Sequence, residues 1–256
     1  MLQELRLFLT AVQFFTRIPV PAWVGHSAQQ LEQAARYFPL VGICVGVLSA
    51  ATLWLGAQVL PLTLAVGLSM AASIIVTGAF HEDGLSDFAD GMGGGHSKEK
   101  TLAIMKDSRV GVYGVIALVL VLLLKYQALL ELCGAQSPLF VAAVLIAAHA
   151  ISRLLAASIM LTQRYARDDD SARAKPAAQS LSHNAFACAA VFALVPLVWL
   201  DTGGGVAAAG VAMALRIVVA QYFYRRIGGY TGDCLGAVQQ ITEVGFYLGL
   251  LAWIST

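Results

Sequence analysis

Three aspartates at helical spacing are the residues of this chain whose types and positions most clearly suggest chemistry. Asp83, Asp87 and Asp90 lie at positions i, i+4 and i+7 of the stretch FHEDGLSDFADGMGGG. On an α-helix these positions fall within an arc of about 60°, so the three carboxylates would point the same way. Carboxylates so placed repel one another unless a cation lies among them, and such oxygen ligands suit Mg²⁺ or Mn²⁺. A solvated surface helix is the alternative, which the preceding apolar segment disfavours.

A glycine run and two basic residues follow the aspartates. Gly93, Gly94 and Gly95 would let backbone amides approach an anion closely, as in an anion-binding nest, although a flexible turn explains the run equally well. The GxxxxGK[ST] pattern of a Walker loop is absent. Lys106 and Arg109 lie just before the next apolar segment, and we predict that they bind phosphate. The stretch as a whole therefore indicates metal-dependent phosphoryl transfer.

A second group of polar residues lies near the C-terminus, in GGYTGDCLGAVQQITE. Asp233 precedes the last apolar segment, and Gln240 shares its helical face seven residues later. Glu243 lies about 15 Å into that segment at 1.5 Å per residue, where a charge is costly and usually paired or functional. Arg153 and Arg216 reach similar depths in their own segments. We expect Glu243 to pair with one of these arginines, or the arginines to close a polar cavity and bind substrate phosphate.

The composition predicts an all-α integral membrane protein. The 256 residues are 59% apolar and only 12% charged, whereas soluble domains carry about a quarter charged residues. The formal net charge of +1 gives no reason to expect nucleic acid as a partner. The four cysteines show no paired spacing, so we expect neither disulfides nor a zinc site.

Seven apolar segments predict about seven transmembrane helices, with six or eight if an end segment is misjudged. The segments are 38–60, 62–80, 110–132, 138–163, 185–200, 203–224 and 234–254. The N-terminal MLQELRLFLTAVQFF predicts an amphipathic helix in the membrane interface and not a signal peptide, because Glu4 and Arg6 interrupt its apolar pattern. The short loops leave no room for a soluble domain, so residues 1–256 form one polytopic domain.

The distribution of positive charge provides a test of this threading. All of the 16 Lys and Arg residues except Lys125, Arg153 and Arg216 fall on the side of the N-terminus, among them Arg173 and Lys175 of the loop between 164 and 184. By the positive-inside rule the N-terminus and the aspartate stretch are cytoplasmic. The three exceptions lie within spans, and we expect Lys125 to snorkel toward the far surface.

The sequence resembles a known family in the motifs that carry this chemistry. HEDGLSDFADGMGGG followed by IMKDSRVGVYG resembles the signature of the cobalamin synthases, or adenosylcobinamide-GDP ribazoletransferases, and GGYTGDCLGA resembles their second block. FFTRIPVP and YFPLVG fit as well, so the resemblance covers essentially the whole chain. Glu82 stands where many members have an apolar residue, and we leave it outside the metal set.

The resemblance implies a multi-pass enzyme of the bacterial inner membrane with its active site on the cytoplasmic face. Such an enzyme joins adenosylcobinamide-GDP to α-ribazole, or to α-ribazole 5′-phosphate, releases GMP and requires Mg²⁺. Its expected partners are the bilayer and either a second copy of the chain or other enzymes of the corrinoid pathway. Glycine amides, Lys106 and Arg109 would hold the diphosphate. The carboxylates assigned to one or two Mg²⁺ ions are Asp83, Asp87, Asp90 and Asp233.

Three other functions compete with this interpretation. A CDP-alcohol phosphatidyltransferase also joins membrane-embedded aspartates to a nucleotide diphosphate, but its usual motif has DG before AR and ends in GxxxDxxxD, and the AR is missing here. An ion-coupled transporter predicts functional charges at mid-membrane in several spans, whereas most charges here cluster at one face. A membrane scaffold leaves the aligned aspartates unexplained.

Overall fold

Helices make up almost all the regular structure of residues 2–25, 27–167 and 181–256, the part of the chain that the computed structural model describes. Short 3₁₀ turns occur at Ala22–Val24, Ala35–Tyr37 and Val195–Trp199. The α-helices are α1 (Leu2–Phe15), α2 (Ala28–Ala34), α3 (Phe38–Ala57), α4 (Leu62–Thr77), α5 (Phe80–Gly94), α6 (Lys98–Met105), α7 (Val112–Ala135), α8 (Pro138–Ala157), α9 (Ile159–Thr162), α10 (His183–Leu194), α11 (Thr202–Ile227) and α12 (Gly232–Ile254). The predicted all-α class is confirmed. Arg173 and Lys175 lie outside the described residues.

Several of these helices are long and apolar enough to cross a membrane, which supports a multi-pass protein. Within the described residues four qualify: Ala28–Ala57, Val112–Ala135, Pro138–Thr162 and Thr202–Ile227. Helices α4 and α5 qualify only as a pair that is bent by 87°, which raises the number to five at most. The segment 185–200 forms a shorter apolar helix, and α12 carries several buried polar residues. The predicted count of seven is thus not confirmed.

The bend between α4 and α5 is produced by two consecutive residues in the left-handed region. Gly78 has φ +64° and Ala79 has φ +58°. Glycine adopts this conformation without strain, whereas alanine does so only where its surroundings hold it. The backbone N–H of Arg17 donates to the carbonyl of Val76 at 2.7 Å, so the segment after α1 is tied to the bend. The chain therefore leaves α4 in a new direction at the residue before α5 begins.

Helix α12 lies at the centre of the bundle and is buried along almost its whole length. It packs against α5, α7, α8 and α11. The N-terminal helix α1 buries Leu7, Ala11, Val12 and Phe15 and leaves Leu2 exposed, as expected of an amphipathic helix. Helices α3 and α8 form another extensive contact beside α12. These contacts fix the two helices that carry the predicted aspartates.

Replacing Gly46 of α3 by alanine is expected to destabilise the bundle by about 1–3 kcal/mol, because an added methyl overpacks a close helix contact. A Cβ at this position would lie 2.7 Å from the Cα of Ile146 in α8. Gly67→Ala in α4 is the matched control, since its Cβ would meet nothing within 4 Å. Thermal unfolding in detergent measures both variants. Equal stability of the two would contradict the α3–α8 contact.

Candidate functional site

The aspartate triad lies on one helix, α5, at different depths. Asp83 is exposed, Asp87 is half-buried and Asp90 is buried. Asp233 in the first turn of α12 lies close enough that its charge, with those of Asp83 and Asp90, repels the charge of Asp87. The structure therefore brings the carboxylates from both ends of the chain to one place.

Two glycines allow α5 and α12 to approach so closely. A Cβ on Gly84 would lie 3.2 Å from the Cα of Gly236 and 3.4 Å from the Cα of Asp233. A Cβ on Gly236 would lie 3.1 Å from the Cα of Gly84. The two helices thus meet backbone to backbone, which brings the α5 triad close to Asp233.

Asp90 connects α5 to the beginning of α7. Its two carboxylate oxygens accept hydrogen bonds from the backbone N–H groups of Gly111 at 2.7 Å and Gly114 at 2.9 Å. These amides belong to the first turn of α7, which otherwise lacks a side-chain cap, so Asp90 supplies the cap from 21 residues away. Each oxygen keeps a second lone pair, so the same carboxylate can also contact a cation.

Asp233 forms an ion pair with Arg167, a residue that the sequence did not single out. The guanidinium donates to the Asp233 carboxylate at 3.0 Å, and the Thr231 hydroxyl donates to it at 3.1 Å. The strand-like pairing of Tyr165 with Tyr230 brings the end of the α9 segment beside the start of α12. In sequence, Arg167 looks like one of several topology charges in a polar loop, and only this pairing shows its partner.

The positions of the glycines correct the expectation that their amides form an anion-binding nest. Gly93 and Gly94 belong to the last turn of α5, and only Gly95 leaves the helix with extended backbone, while its N–H donates to the carbonyl of Gly91. Amides used within a helix are not free to form an anion nest. The glycines instead admit neighbours, because a side chain on Gly93 would overlap the ring of Tyr113. Close packing explains the run.

The predicted phosphate-binding cations lie in the loop between α6 and α7. The Arg109 side chain is 87% exposed and pairs with Asp107, whose pKa it lowers to about 2 through hydrogen bonds and charge. Lys106 directly follows α6 in the same loop. An incoming phosphate would have to replace Asp107 as the partner of Arg109.

Glu243 does not pair with an arginine as expected. Its carboxylate lies 2.5 Å from the Nζ of Lys125 and 3.3 Å from the Nδ1 of His149. Lys125 is 3% exposed, so the prediction that it snorkels to the far surface is wrong. Arg216 instead donates to Ser158 and Thr162, and Arg153 donates to the carbonyl of His149 at 2.9 Å. The charge of the buried Glu243 carboxylate is therefore neutralised by the ammonium of Lys125 and not by an arginine.

Gln240 and Glu82 link the two helices of the site below the carboxylates. The Gln240 amide donates to the carboxylate of Glu82 at 2.9 Å and to the side chain of Gln239 at 2.9 Å, and Gln240 is buried. Gln239 in turn donates to Glu243 at 2.7 Å. The predicted substrate-binding residues Gln240 and Glu243 therefore belong to a buried network, and Glu82 is part of it.

The donor types fit a hard divalent cation. Asp87 is surrounded by three other carboxylates, and Arg167 is the cation that partly offsets their charge. Among the described residues, however, no group of three or more His, Cys, Asp or Glu side chains has the arrangement of a metal-binding site. Ligation would thus require side-chain rotation within the acidic cluster. The case for a metal therefore depends on the negative charge of the acidic cluster and on its carboxylate ligands.

Comparison with known proteins gives consistent full-length matches. The family described as Cobalamin-5-phosphate synthase matches residues 7–251. A protein of Shewanella frigidimarina named adenosylcobinamide-GDP ribazoletransferase is 48% identical over 98% of this chain and 96% of its own length. A Ralstonia pickettii protein of the same name is 49% identical over 96% of this chain and 95% of its own. No solved structure matches the chain.

Removing one partner of the buried Lys125–Glu243 pair is expected to cost about 3–5 kcal/mol, because the other charge is left unpaired. Lys125→Met should therefore lower the unfolding free energy strongly, and adding Glu243→Gln should restore much of it. Lys100→Met, at an exposed position of α6, is the control. Denaturant titration of the detergent-solubilised protein measures all three. A double variant no more stable than Lys125→Met would contradict the pairing.

Proposed function

The chain belongs to the cobalamin-5-phosphate synthase family, and on that premise we propose that it joins adenosylcobinamide-GDP to α-ribazole, or to α-ribazole 5′-phosphate, and releases GMP. Relatives named for this transfer match it over nearly their whole length. One structural observation supports the proposal. Four carboxylates come together beside the contact between α5 and α12, namely those of Asp83, Asp87, Asp90 and Asp233.

The reaction requires positioning and charge neutralisation more than covalent participation by the protein. The ribazole hydroxyl attacks the phosphorus that carries the cobinamide, the bond from that phosphorus to the bridging oxygen breaks, and GMP leaves with the electron pair. The hydroxyl proton passes to a base. The diphosphate of adenosylcobinamide-GDP brings several negative charges to the acidic cluster, so the cluster needs a cation to admit this substrate.

Mg²⁺, when bound by the four aspartates, would neutralise the diphosphate and the leaving GMP. The protein side chains divide the remaining work. Asp90 is held by two amides and Asp233 by Arg167 and Thr231, so both have fixed positions. No hydrogen bond within the described residues engages the side chains of Asp83 and Asp87. Whichever of these two the cation engages less fully would be the base that accepts the hydroxyl proton.

Arg167 links the cluster to the substrate phosphates. Its guanidinium neutralises Asp233. Its planar donors also suit phosphate oxygens, so Arg167 would contact a substrate phosphate if Asp233 served as a cation ligand. Lys106 and Arg109, in the loop before α7, would receive the GMP portion. Arg167 would thus have two alternative partners, the Asp233 carboxylate and a substrate phosphate.

The membrane setting proposed for the enzyme follows from the charge distribution. We place α1 and the acidic cluster at the cytoplasmic face of a bacterial inner membrane, because the basic residues outside the spans gather on that side. The seven-span threading and association with a second copy or with other corrinoid enzymes belong to the same proposal. The bent α4–α5 pair supports a site at the boundary and not at the bilayer centre.

Asp83→Asn and Asp233→Asn are each expected to reduce GMP release by about a hundredfold or more, because each removes a charge that holds the cation against the diphosphate. Both should also raise the Mg²⁺ concentration needed for half-maximal rate. Purified protein in vesicles, supplied with both substrates over a range of Mg²⁺, gives the measurement. Glu131→Gln, at an exposed position near the end of α7, is the control. Unchanged turnover in both aspartate variants would disprove the metal-ligand assignment.

Arg167→Met should have the opposite effect on the cation. The half-saturating Mg²⁺ concentration is expected to fall about two- to fivefold, because a partly exposed ion pair that competes for Asp233 contributes ~1 kcal/mol or less. At the same time the KM for adenosylcobinamide-GDP should rise, because methionine cannot donate hydrogen bonds to a substrate phosphate as the guanidinium would. Arg164→Met, three residues earlier and exposed, is the matched control. A higher Mg²⁺ requirement would show that Arg167 does not compete with the cation.

A further inference from the structure

An aromatic cleft lies beside the acidic cluster, between α1, α3, α5, α8 and α12. Its walls carry the rings of Phe14, Phe15, Phe38 and Phe80. Small-molecule sites typically combine apolar walls with a few polar groups. The cleft therefore has the composition of a site for part of a small molecule.

The rings of the cleft are arranged mainly edge to face. Phe15 meets Phe38 at 4.5 Å between centroids and 89° between planes, and Phe14 meets Phe80 at 5.1 Å and 70°. His81 is stacked on Phe15 at 5.4 Å with 10° between the planes. Such rings favour a further aromatic system, which can stack on one ring and meet the edge of another. A flat bicyclic base suits these walls.

The cleft shares its walls with the turns that carry the catalytic carboxylates. Gly232 and Gly236, which flank Asp233 in the first turns of α12, line it. Phe80 and His81, which begin α5 just before Asp83, line it as well. A base held in the cleft is therefore adjacent to the helix turns where the hydroxyl of an attached ribose must react.

One buried cation gives the cleft a polar group. Arg153 lines the cleft and is 2% exposed. Within the described part of the chain, its Nε–H has no hydrogen-bond partner, and a buried donor without a partner is energetically unfavourable. The benzimidazole base of ribazole has one ring nitrogen that is not bonded to the sugar and accepts a hydrogen bond. A lipid chain offers no such acceptor.

We infer that this cleft binds the heteroaromatic base of the ribazole substrate, with the phenylalanine rings against its faces and edges and the Arg153 Nε–H on its free ring nitrogen. The inference rests on the function proposed above and identifies which substrate the cleft takes. The corrinoid and its diphosphate then occupy the carboxylate side of α5 and α12. Arg153 thereby selects a base and not a phosphate.

The test compares the two substrates in steady-state kinetics on protein reconstituted in vesicles of one defined phospholipid. Phe80→Leu and Phe14→Leu alter rings that are only partly buried, so folding should survive. Each is expected to raise the KM for α-ribazole about fivefold, since the lost aromatic stacking contributes ~1 kcal/mol beyond the buried area, and to leave the KM for adenosylcobinamide-GDP within about twofold. Trp54→Leu, in a separate cleft between α3 and α8, is the matched control and should change neither KM.

The role of Arg153 is tested by an analogue in which the ring nitrogen is replaced by a C–H group, the α-ribosyl indole. Wild-type protein should prefer the benzimidazole compound in kcat/KM by about tenfold, because the analogue leaves the buried donor unpaired. Arg153→Lys, which keeps the charge but loses the planar Nε–H, should lose most of this preference. An unchanged preference in the variant would contradict the assignment.

The outcomes separate this inference from the proposed function. Equal changes in both KM values, or none, in the phenylalanine variants would overturn the base subsite while GMP release continued. A rate that depended on acyl-chain length in those variants, with the ribazole KM unchanged, would assign the cleft to lipid and also overturn it. Absence of GMP release by the wild type with both substrates would instead contradict the proposed function.

Discussion

Electrostatic repulsion among four carboxylates is the constraint on which the rest of this structure depends. The close contact of Gly84 with Gly236 forces the α5 triad and Asp233 together, although like charges at such distances oppose one another. The fold offsets this repulsion with two amides on Asp90 and with Arg167 and Thr231 on Asp233. The negative charge that remains unbalanced would favour a bound cation, as the proposed Mg²⁺ site requires.

The buried network below the site explains why the helices cannot separate easily. Glu82 on α5 accepts from Gln240 on α12, and Glu243 further along α12 pairs with Lys125 on α7. In an apolar bundle each of these groups would be costly without its partner, so any sliding of α12 would break several contacts together. The polar residues thus fix the register of the central helix, which apolar packing alone leaves less well defined. The paired charges also account for the mid-bundle polarity that an ion-coupled transporter would show.

The periodicity of the sequence was enough to place three aspartates on one helix, since a spacing of four and three residues has a direct meaning on an α-helix. It also indicated the membrane class and the family, because both depend on local composition and motifs. Depth along a span is likewise readable, but the direction in which a side chain points around the helix axis is not. Lys125 and Glu243 were therefore assigned wrong surroundings. The glycine run was misread for a related reason: close packing and a flexible loop leave the same residues in the sequence, and only the neighbours Tyr113 and Met105 distinguish them.

The bend at Gly78 and Ala79 connects these constraints to the chemistry. By ending α4 there, the chain sets α5 at 87° to the preceding helix, so one side of α5 meets polar groups while its beginning contacts the phenylalanines of α1. The bent helix borders both an acidic cluster and an aromatic cleft. An enzyme that must bring a charged diphosphate to a largely apolar base needs those two environments side by side, and the bent α5 helix provides them with few residues.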